Sequence, residues 1–221
     1  FYNLSKDSTL IKDFYHSMIK PMADFLTDYI DTNTGLPKPS YDLWEERFLT
    51  NTHTTAVTYA ALVAASELAI VAGDELSSVK WRNAAEDIQQ AAKKYLFNKE
   101  RQVFYRGLIS NDDGSITYDA TIDNAAIFSS FMFGLFEADS PEIKASIETV
   151  SKVFGETHDR PGLPRYEDDY YRRSHEDIQG NWWYITTLWK AQYNLELGNT
   201  DEAISAINWI NQHIMPTGMM G

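Results

Sequence analysis

The sequence predicts an all-α fold of the α/α toroid type, and three observations indicate it. Amphipathic helices alternate along the chain with helices that are apolar nearly all round. Short and long connections alternate in step with them. A helix that is apolar on every side must be covered on every side, so the alternation predicts two concentric layers in which each outer helix is followed by an inner one.

Seven helices are predicted in one domain that spans residues 1–221. The first amphipathic helix has apolar side chains at three- and four-residue steps and an expected kink at Pro21; its apolar residues are Ile11, Phe14, Met18, Met22, Phe25 and Tyr29. Three further amphipathic helices are predicted, at residues 79–95, 143–154 and 203–210. The three apolar helices are predicted at residues 56–72, 125–136 and 182–195.

The connections indicate where function is to be sought. Short connections follow the inner helices, whereas the loops at residues 31–48, 97–123 and 156–180 are long. In a toroid the long loops share one end of the molecule, and long loops in compact domains commonly carry function. The middle loop also predicts a small β-hairpin, with strands at residues 103–105 and 116–118.

Composition excludes several functions. A formal charge of −13 repels phosphate backbones and no basic stripe offsets it, so nucleic-acid binding is not expected. No run approaches the ~18 uninterrupted apolar residues of a membrane span, so no membrane partner is expected. The absence of cysteine excludes disulfides and thiolate metal sites, and the 5 histidines form no ligand cluster, so neither a metal nor another cofactor is expected.

Acidic residues beside a tryptophan mark the first long loop. Asp42 and Glu45 have the spacing of a helix-capping arrangement, and acidic residues favour a first helical turn. The alternative is catalysis, because the Trp44 indole offers an apolar face to a sugar ring and desolvation beside an indole favours a protonated carboxyl that can act as a general acid. Residue spacing leaves both interpretations open.

The third long loop combines Arg165 with several acidic and aromatic residues. It is either a solvated loop with aromatic anchors or a rim on which Arg165 binds sugar hydroxyls while a neighbouring acid orients the guanidinium. Trp182 and Trp183 open the last apolar helix, where tryptophans serve either the core or a sugar platform.

Together these motifs resemble glycoside hydrolase family 15, the glucoamylase family, which also contains glucodextranases and microbial trehalases. GLPKPSYDLWEER resembles the family's acid-bearing loop, and LPRYEDDYY followed by GNWWYITTLW resembles its arginine loop and the helix after it. WRNAAEDIQQAAKKYLFNKERQVFYRGL and YDATIDNAAIF are similar to the segments between them. The resemblance implies an (α/α)6 barrel, present here as an incomplete barrel of about seven helices.

The same resemblance implies roles for individual residues. Glu45 matches the general acid that protonates the leaving glycosidic oxygen, and Arg165 matches a substrate-binding arginine. The remaining matches line or surround the first sugar subsite, and they are Tyr41, Asp42, Trp44, Glu46, Asp169, Tyr171 and Trp183. Trp182 departs from the family, which often has proline at this position.

The implied activity is that of an inverting α-glucosidase, which releases glucose from the non-reducing ends of α-linked glucose oligosaccharides or polysaccharides. Residues 213–221 resemble the approach to the catalytic base, a glutamate expected immediately beyond Gly221. The chain is therefore expected to supply the acid without the base and to be close to inactive alone. The alternatives are a trehalase, a glucodextranase or a non-catalytic helical module that binds carbohydrate or regulates a partner. An incomplete barrel also predicts exposed flanks of inner helices and self-association through them.

Overall fold

The computed structural model describes residues 2–220, which form two compact units. The first unit contains the chain up to Tyr95 together with Leu108–Thr117, and the second contains Leu96–Gly107 together with the chain from Tyr118 onward. The helices of the first unit are α1 (Tyr2–Ser5), α2 (Thr9–Phe14), a π-helical segment (Tyr15–Ile19), α3 (Lys20–Asp28), α4 (Thr52–Ala72) and α5 (Glu75–Tyr95). The helices of the second unit are α6 (Asn124–Met132), α7 (Pro141–Phe154), α8 (Tyr184–Glu196) and α9 (Thr200–His213).

The helical order and the alternation of loop lengths are confirmed. Within the described residues all seven predicted helices are present, with α2, the π-helical segment and α3 together forming the first of them. The connections at residues 73–74 and 197–199 are short, whereas those at 29–51, 96–123 and 155–183 are long. The connection at residues 133–140 is longer than predicted, because α6 ends at Met132 and not at Phe136. α4 ends where Gly73 adopts a φ of 81°, a left-handed conformation that glycine reaches without strain.

Strands occupy parts of the long loops, so the expectation of all-α structure with one hairpin is incomplete. The strands are β1 (Ser40–Tyr41), β2 (Phe48–Asn51), β3 (Phe97–Asn98), β4 (Val103–Phe104), β5 (Gly107–Ser110) and β6 (Ile116–Asp119). One sheet has the order β1-β2-β5-β6, and β3 pairs with β4 in a separate two-stranded sheet.

The predicted hairpin is wrong in its first strand. β5, and not residues 103–105, precedes the turn that leads to β6, and the Asn111 N–H closes that turn by donating to the Ser115 carbonyl at 2.9 Å. Val103 instead lies opposite Asn98 in the pairing of β4 with β3. A separate turn causes this pairing, because the Asn98 side-chain oxygen accepts the backbone N–H groups of the two residues that follow Lys99.

Burial of the three apolar helices differs from the prediction. α6 is covered as expected, with every residue from Asn124 to Phe131 buried. α8 leaves Ile185, Leu188 and Leu195 exposed, and α4 leaves Ile70 63% exposed. α4 packs against α3 and α5, its neighbours along the chain, whereas α8 packs against α9 and against α6. The prediction of exposed apolar flanks is therefore confirmed. The prediction that α4 and α8 are covered on every side is wrong among the described residues.

The first amphipathic helix buries a different face from the predicted one. Ile11, Tyr15 and Ala23 are buried, whereas the remaining residues of the predicted apolar series are exposed, namely Phe14, Met18, Met22, Phe25 and Tyr29. The π-helical segment contributes to this change downstream, because its wider turn rotates the side chains that follow it, including those of Met22 and Phe25. It ends at Ile19, two residues before Pro21, the residue at which the sequence predicts a kink.

One helix of the described chain, α4, is long and apolar enough to cross a membrane by length and composition alone. Core helices of soluble proteins pass the same test. α4 buries polar side chains along the same face as its apolar ones, including Thr55, Thr58 and Ser66. Its packing against α3 and α5 makes it the central helix of the first unit.

Asp74 connects the start of the chain to α5 within the first unit. Its Oδ2 accepts hydrogen bonds from Lys20 Nζ at 2.7 Å and from the Tyr15 hydroxyl at 3.0 Å. Ser77 donates to the same carboxylate through its hydroxyl at 2.8 Å and through its backbone N–H at 3.1 Å. The hydrogen bonds from Lys20 and Ser77 hold the pKa of Asp74 well below its usual range. Burial, reinforced by the bond to Asp74, raises the pKa of Tyr15 to about 12.

This cluster predicts a specific acid sensitivity. Because the folded state lowers the pKa of Asp74, its contribution to stability is present above the unfolded value of about 3.9 and is lost as pH falls toward the folded value. Asp74→Asn should therefore be less stable than wild type at pH 6, with a difference that shrinks between about pH 4 and pH 2. Urea midpoints across this range measure the effect. Asp87→Asn, an exposed substitution on α5, is the matched control, and a parallel pH profile for Asp74→Asn and wild type would contradict the prediction.

Candidate active site

The acidic turn at residues 42–47 connects β1 to β2 in the first unit. The two strands pair antiparallel, and the Asp42 N–H donates to the Arg47 carbonyl at 2.9 Å. Asp42 is only 7% exposed. Its Oδ1 accepts the backbone N–H of Glu46 at 2.9 Å and that of Arg47 at 3.3 Å. Asp42 therefore fixes the shape of the turn that carries the other acidic residues.

The helix-capping interpretation of Asp42 and Glu45 is wrong, because the turn joins two strands. The next helix, α4, begins at Thr52. Its cap is Asn51, whose Oδ1 accepts the Thr54 N–H at 2.7 Å. Aspartate binds nearby backbone N–H groups in tight turns as readily as at helix starts, so the spacing alone could not distinguish the two structures.

Glu45 occupies a strained position at the tip of the turn. Its φ of 58° is left-handed, a conformation that costs a residue other than glycine on the order of 1–3 kcal/mol and that concentrates at functional sites. The Glu45 N–H donates to the Asp42 carbonyl at 3.0 Å, which helps to hold this conformation. The side chain is exposed, so the described residues do not provide the desolvation that the sequence predicts beside Trp44.

The structure brings the predicted residues of the first loop together on one hairpin. Trp44 is half-buried and Glu46 is exposed in the turn itself. Tyr41, at the end of β1, is 62% exposed, and its ring packs edge-on against Phe48 with centroids 5.3 Å apart. An aromatic ring and two carboxylates therefore face solvent from a turn whose backbone is fixed by hydrogen bonds.

The arginine loop, residues 163–171 of the second unit, is organised around a buried ion pair. Arg165 is 6% exposed and Asp169 is fully buried. The guanidinium donates to both carboxylate oxygens, from Nε at 2.8 Å and from Nη2 at 2.8 Å. Such a bidentate pair fixes the guanidinium plane. Asp169 Oδ1 also accepts the Tyr171 N–H at 3.0 Å, which ties the following residue to the pair.

Aromatic rings surround the Arg165 guanidinium. Its Cζ lies 5.0 Å from the ring centroid of Tyr166, 5.1 Å from that of Tyr171 and 5.0 Å from that of Trp183. The Tyr171 and Trp183 rings are 6.0 Å apart. Arg165, Asp169, Tyr171 and Trp183 were predicted from the sequence to belong to one group, and the structure brings all four together.

The Trp183 indole nitrogen is an unpaired donor in this group. Nε1 is buried and finds no hydrogen-bond acceptor among the described residues. A buried donor without an acceptor costs about 1–3 kcal/mol. The arginine loop therefore combines a fixed cation with aromatic faces, a combination suited to a polyhydroxylated ligand.

A second ion pair holds the arginine loop in place. Arg101 donates to Glu167 at 2.8 and 3.1 Å and to the Ala120 carbonyl at 2.8 Å. Glu167 also accepts the Ile122 N–H at 3.3 Å. Burial works against ionisation of Glu167, but the hydrogen bonds from Arg101 and Ile122 outweigh it and lower the pKa of Glu167. The hydrogen bond to Glu167 raises the pKa of Arg101 in turn.

A third pair was not predicted from the sequence. Arg106 Nε lies 3.1 Å from Asp123 Oδ2, and both side chains are almost fully buried. The Arg106 guanidinium also lies over the Tyr166 ring at 4.5 Å, and Asp123 forms a β-bridge with Tyr166. The sequence did contain a signal for this pair. Arg106 in VFYRGL and Asp123 in YDATIDNAAIF are charged residues beside apolar ones, and a buried charge requires a partner.

No group of three or more histidine, aspartate or glutamate side chains within residues 2–220 is placed to hold a metal ion. Asp113 lies in the separate turn between β5 and β6. Its carboxylate is already used within that turn, because it accepts hydrogen bonds from the Ser115 hydroxyl at 2.6 Å and from the Ser115 N–H at 2.9 Å.

Comparison with known proteins supports the resemblance seen in the motifs. The sequence profile of glycosyl hydrolases family 15 matches residues 2–208, and the chain belongs to this family. It is similar to a glycosyl hydrolase of Methanocaldococcus jannaschii, with 26% identity over 192 residues that cover 87% of this chain and 28% of the relative. It is also similar to a glucoamylase of Blastobotrys adeninivorans, with 28% identity over 206 residues that cover 86% of this chain and 33% of the relative.

Among solved structures, a bacterial glucoamylase in complex with acarbose superposes with a TM-score of 0.73. The match has 19% sequence identity and covers 95% of this chain and 33% of that one, and it shows a shared fold. The chain thus spans about a third of the length of these relatives.

Proposed function

We propose that this chain forms part of an (α/α)6 catalytic barrel that hydrolyses α-glucosidic bonds with inversion and releases glucose from non-reducing ends. The observation that carries the proposal is the arginine loop, in which a bidentate Arg165–Asp169 pair is surrounded by three aromatic rings beside the unpaired Trp183 Nε1. Membership of glycosyl hydrolases family 15 and the likeness to glucoamylases support glucose as the sugar.

The arginine loop would bind the hydroxyls of the sugar ring. A guanidinium donates several N–H bonds in a fixed plane, and its pairing with Asp169 sets that plane before the ligand arrives. The exposed rim of Tyr171 and the face of Trp183 suit the apolar C–H surface of a pyranose. Binding sugar at a preset guanidinium avoids the entropy of ordering a mobile side chain.

The acidic turn would supply the proton. Glu45 would protonate the glycosidic oxygen as the bond to the anomeric carbon breaks, so that the sugar leaves as a neutral alcohol. Asp42 holds the turn through its bonds to the backbone N–H groups of Glu46 and Arg47. Tyr41, Trp44 and Glu46 would contact the sugar nearest the scissile bond. A second carboxylate, expected beyond Gly221, would activate water at the opposite face of the ring, about 6.5–9.5 Å from the acid.

The stereochemistry of the product tests the inverting mechanism. A protein that contains residues 1–221 and continues beyond Gly221 should release β-glucose first from maltotriose, as followed by proton NMR before mutarotation. The 221-residue chain alone is the control and should release almost none. If α-glucose appears first, the mechanism is not inverting. If no glucose is released from maltotriose, isomaltose or trehalose, the chain belongs to a non-catalytic carbohydrate-binding or regulatory protein.

A further inference from the structure

Trp182 presents a fixed indole at the surface of the second unit. It is 36% exposed, a large fraction for an apolar ring of this size. The Gly162 backbone lies directly against it, because a Cβ at Gly162 would be 2.6 Å from the indole atoms Cδ2 and Cε3. The indole therefore has little freedom to rotate on that side.

Trp182 belongs to an aromatic cluster that also contains Trp209, Tyr184 and His213. The Trp209 ring packs edge-on against Trp182 at 5.7 Å, and its centroid lies 5.9 Å from Tyr184 and 4.5 Å from His213. The Tyr184 hydroxyl donates to the His213 carbonyl at 2.5 Å, which ties α8 to the end of α9. The two indoles therefore form a rigid wall.

A cleft of about 630 Å³ opens at this wall, within the volume range of small-molecule sites. Polar side chains complete its lining, and they include Arg160, Ser174 and Asp177. The Arg160 guanidinium lies over the Trp182 ring at 5.3 Å. All three polar residues are exposed, and among the described residues no hydrogen bond engages the Asp177 carboxylate or the Ser174 hydroxyl.

The chemistry of the cleft fits a neutral sugar. Pyranose rings combine apolar C–H surfaces, which pack on indoles, with hydroxyls that both donate and accept hydrogen bonds. Arg160 supplies donors, Asp177 supplies acceptors and Ser174 supplies both. A chain with a net charge of −13 disfavours strongly anionic ligands, and both signs of charge line this cleft.

The cleft adjoins the arginine loop, whose Pro164 contributes to its lining. Arg165, Asp169, Tyr171 and Trp183 do not line it. A second cleft of about 370 Å³ is lined by Tyr171 and Trp183 and shares Trp182, Trp209 and His213 with the first. The indole wall therefore continues from the residues of the proposed sugar site into the 630 Å³ cleft.

We propose that the cleft at Trp182 and Trp209 is an accessory binding site for the distal units of an α-linked glucose oligosaccharide. The identity of the sugar rests on the proposed function, whereas the location rests on the indole wall and the polar groups beside it.

The six indole N–H signals in a proton–nitrogen NMR spectrum test the proposal directly, because each tryptophan reports its own surroundings. Titration of the 221-residue chain with maltoheptaose should move the signals of Trp182 and Trp209. Maltose, which is too short to extend along the wall, should move them at least about tenfold less at equal concentration. The Trp183 signal reports the proposed sugar site separately.

Arg160→Ala should raise the dissociation constant measured from the Trp182 and Trp209 signals by about tenfold. The dissociation constant measured from the Trp183 signal should be unchanged. Arg82→Ala, which removes an equally charged side chain from α5, is the matched control and should change neither dissociation constant. If maltoheptaose shifts the Trp183 signal but not the signals of Trp182 and Trp209, the accessory site is overturned and the proposed function stands. If the signals of Trp182 and Trp209 shift saturably while the Trp183 signal does not, the accessory site is supported, and the result counts against the arginine loop as a sugar site.

Discussion

Glu45→Gln should lower the rate of α-glucoside hydrolysis by about 10²–10⁴-fold in a protein that carries this chain and the catalytic base. Glutamine keeps the size and hydrogen-bonding oxygen of the side chain, but its amide is far too weak an acid to protonate a leaving oxygen. The affinity for acarbose should remain within a few-fold of wild type, because the substitution leaves the backbone of the turn intact. Initial rates on maltotriose and calorimetric titration with acarbose measure the two effects.

Glu86→Gln is the matched control, since Glu86 is an exposed glutamate on α5 outside the acidic turn. It should leave the rate unchanged. A Glu45→Gln variant that keeps activity within a few-fold of wild type would remove Glu45 from the role of proton donor. Loss of activity together with loss of acarbose binding would indicate damage to the turn, and the acid role would then have no support from this variant.

Asp169→Ala should destabilise the second unit by about 3–5 kcal/mol, because it leaves the Arg165 guanidinium buried without its partner. It should also abolish acarbose binding, since the carboxylate holds the guanidinium plane. Urea unfolding followed by circular dichroism gives the stability change. Glu202→Ala is the control, because it breaks the exposed His158–Glu202 pair, a type of pair worth about 0–1 kcal/mol.

A double variant separates the pair from the packing around it. Arg165→Met combined with Asp169→Ala removes both charges, so it should recover much of the stability lost in Asp169→Ala alone while acarbose binding stays absent. Equal stability losses in Asp169→Ala and Glu202→Ala would show that the buried pair does not hold the loop.

The sequence predicted the helices well because hydrophobic periodicity reports packing directly. The order of seven helices and the positions of the long loops follow from it, and α6 is buried as its composition indicates. The π-helical segment at Tyr15–Ile19 could not be predicted, because its sequence also suits an α-helix. Its extra residue rotates the side chains that follow, so that Ala23 is buried while Met22 and Phe25 are exposed.

The candidate site was predicted in part, for a similar reason. Asp42 satisfies backbone N–H groups in a strand-to-strand turn with the same spacing that it would use at a helix start, so local chemistry did not specify the element. The grouping of Arg165 with Asp169, Tyr171 and Trp183 followed from motif likeness. The pair of Arg106 with Asp123 joins residues far apart in sequence, and only the folded chain reveals it.

The role of Glu45 as proton donor is tested most directly by a substrate whose leaving group needs no proton. Glu45→Gln should hydrolyse α-glucosyl fluoride at a rate within a few-fold of wild type while losing about 10²–10⁴-fold on maltotriose, because fluoride departs as a stable anion. A similar loss on both substrates would contradict the assignment of Glu45 as the general acid.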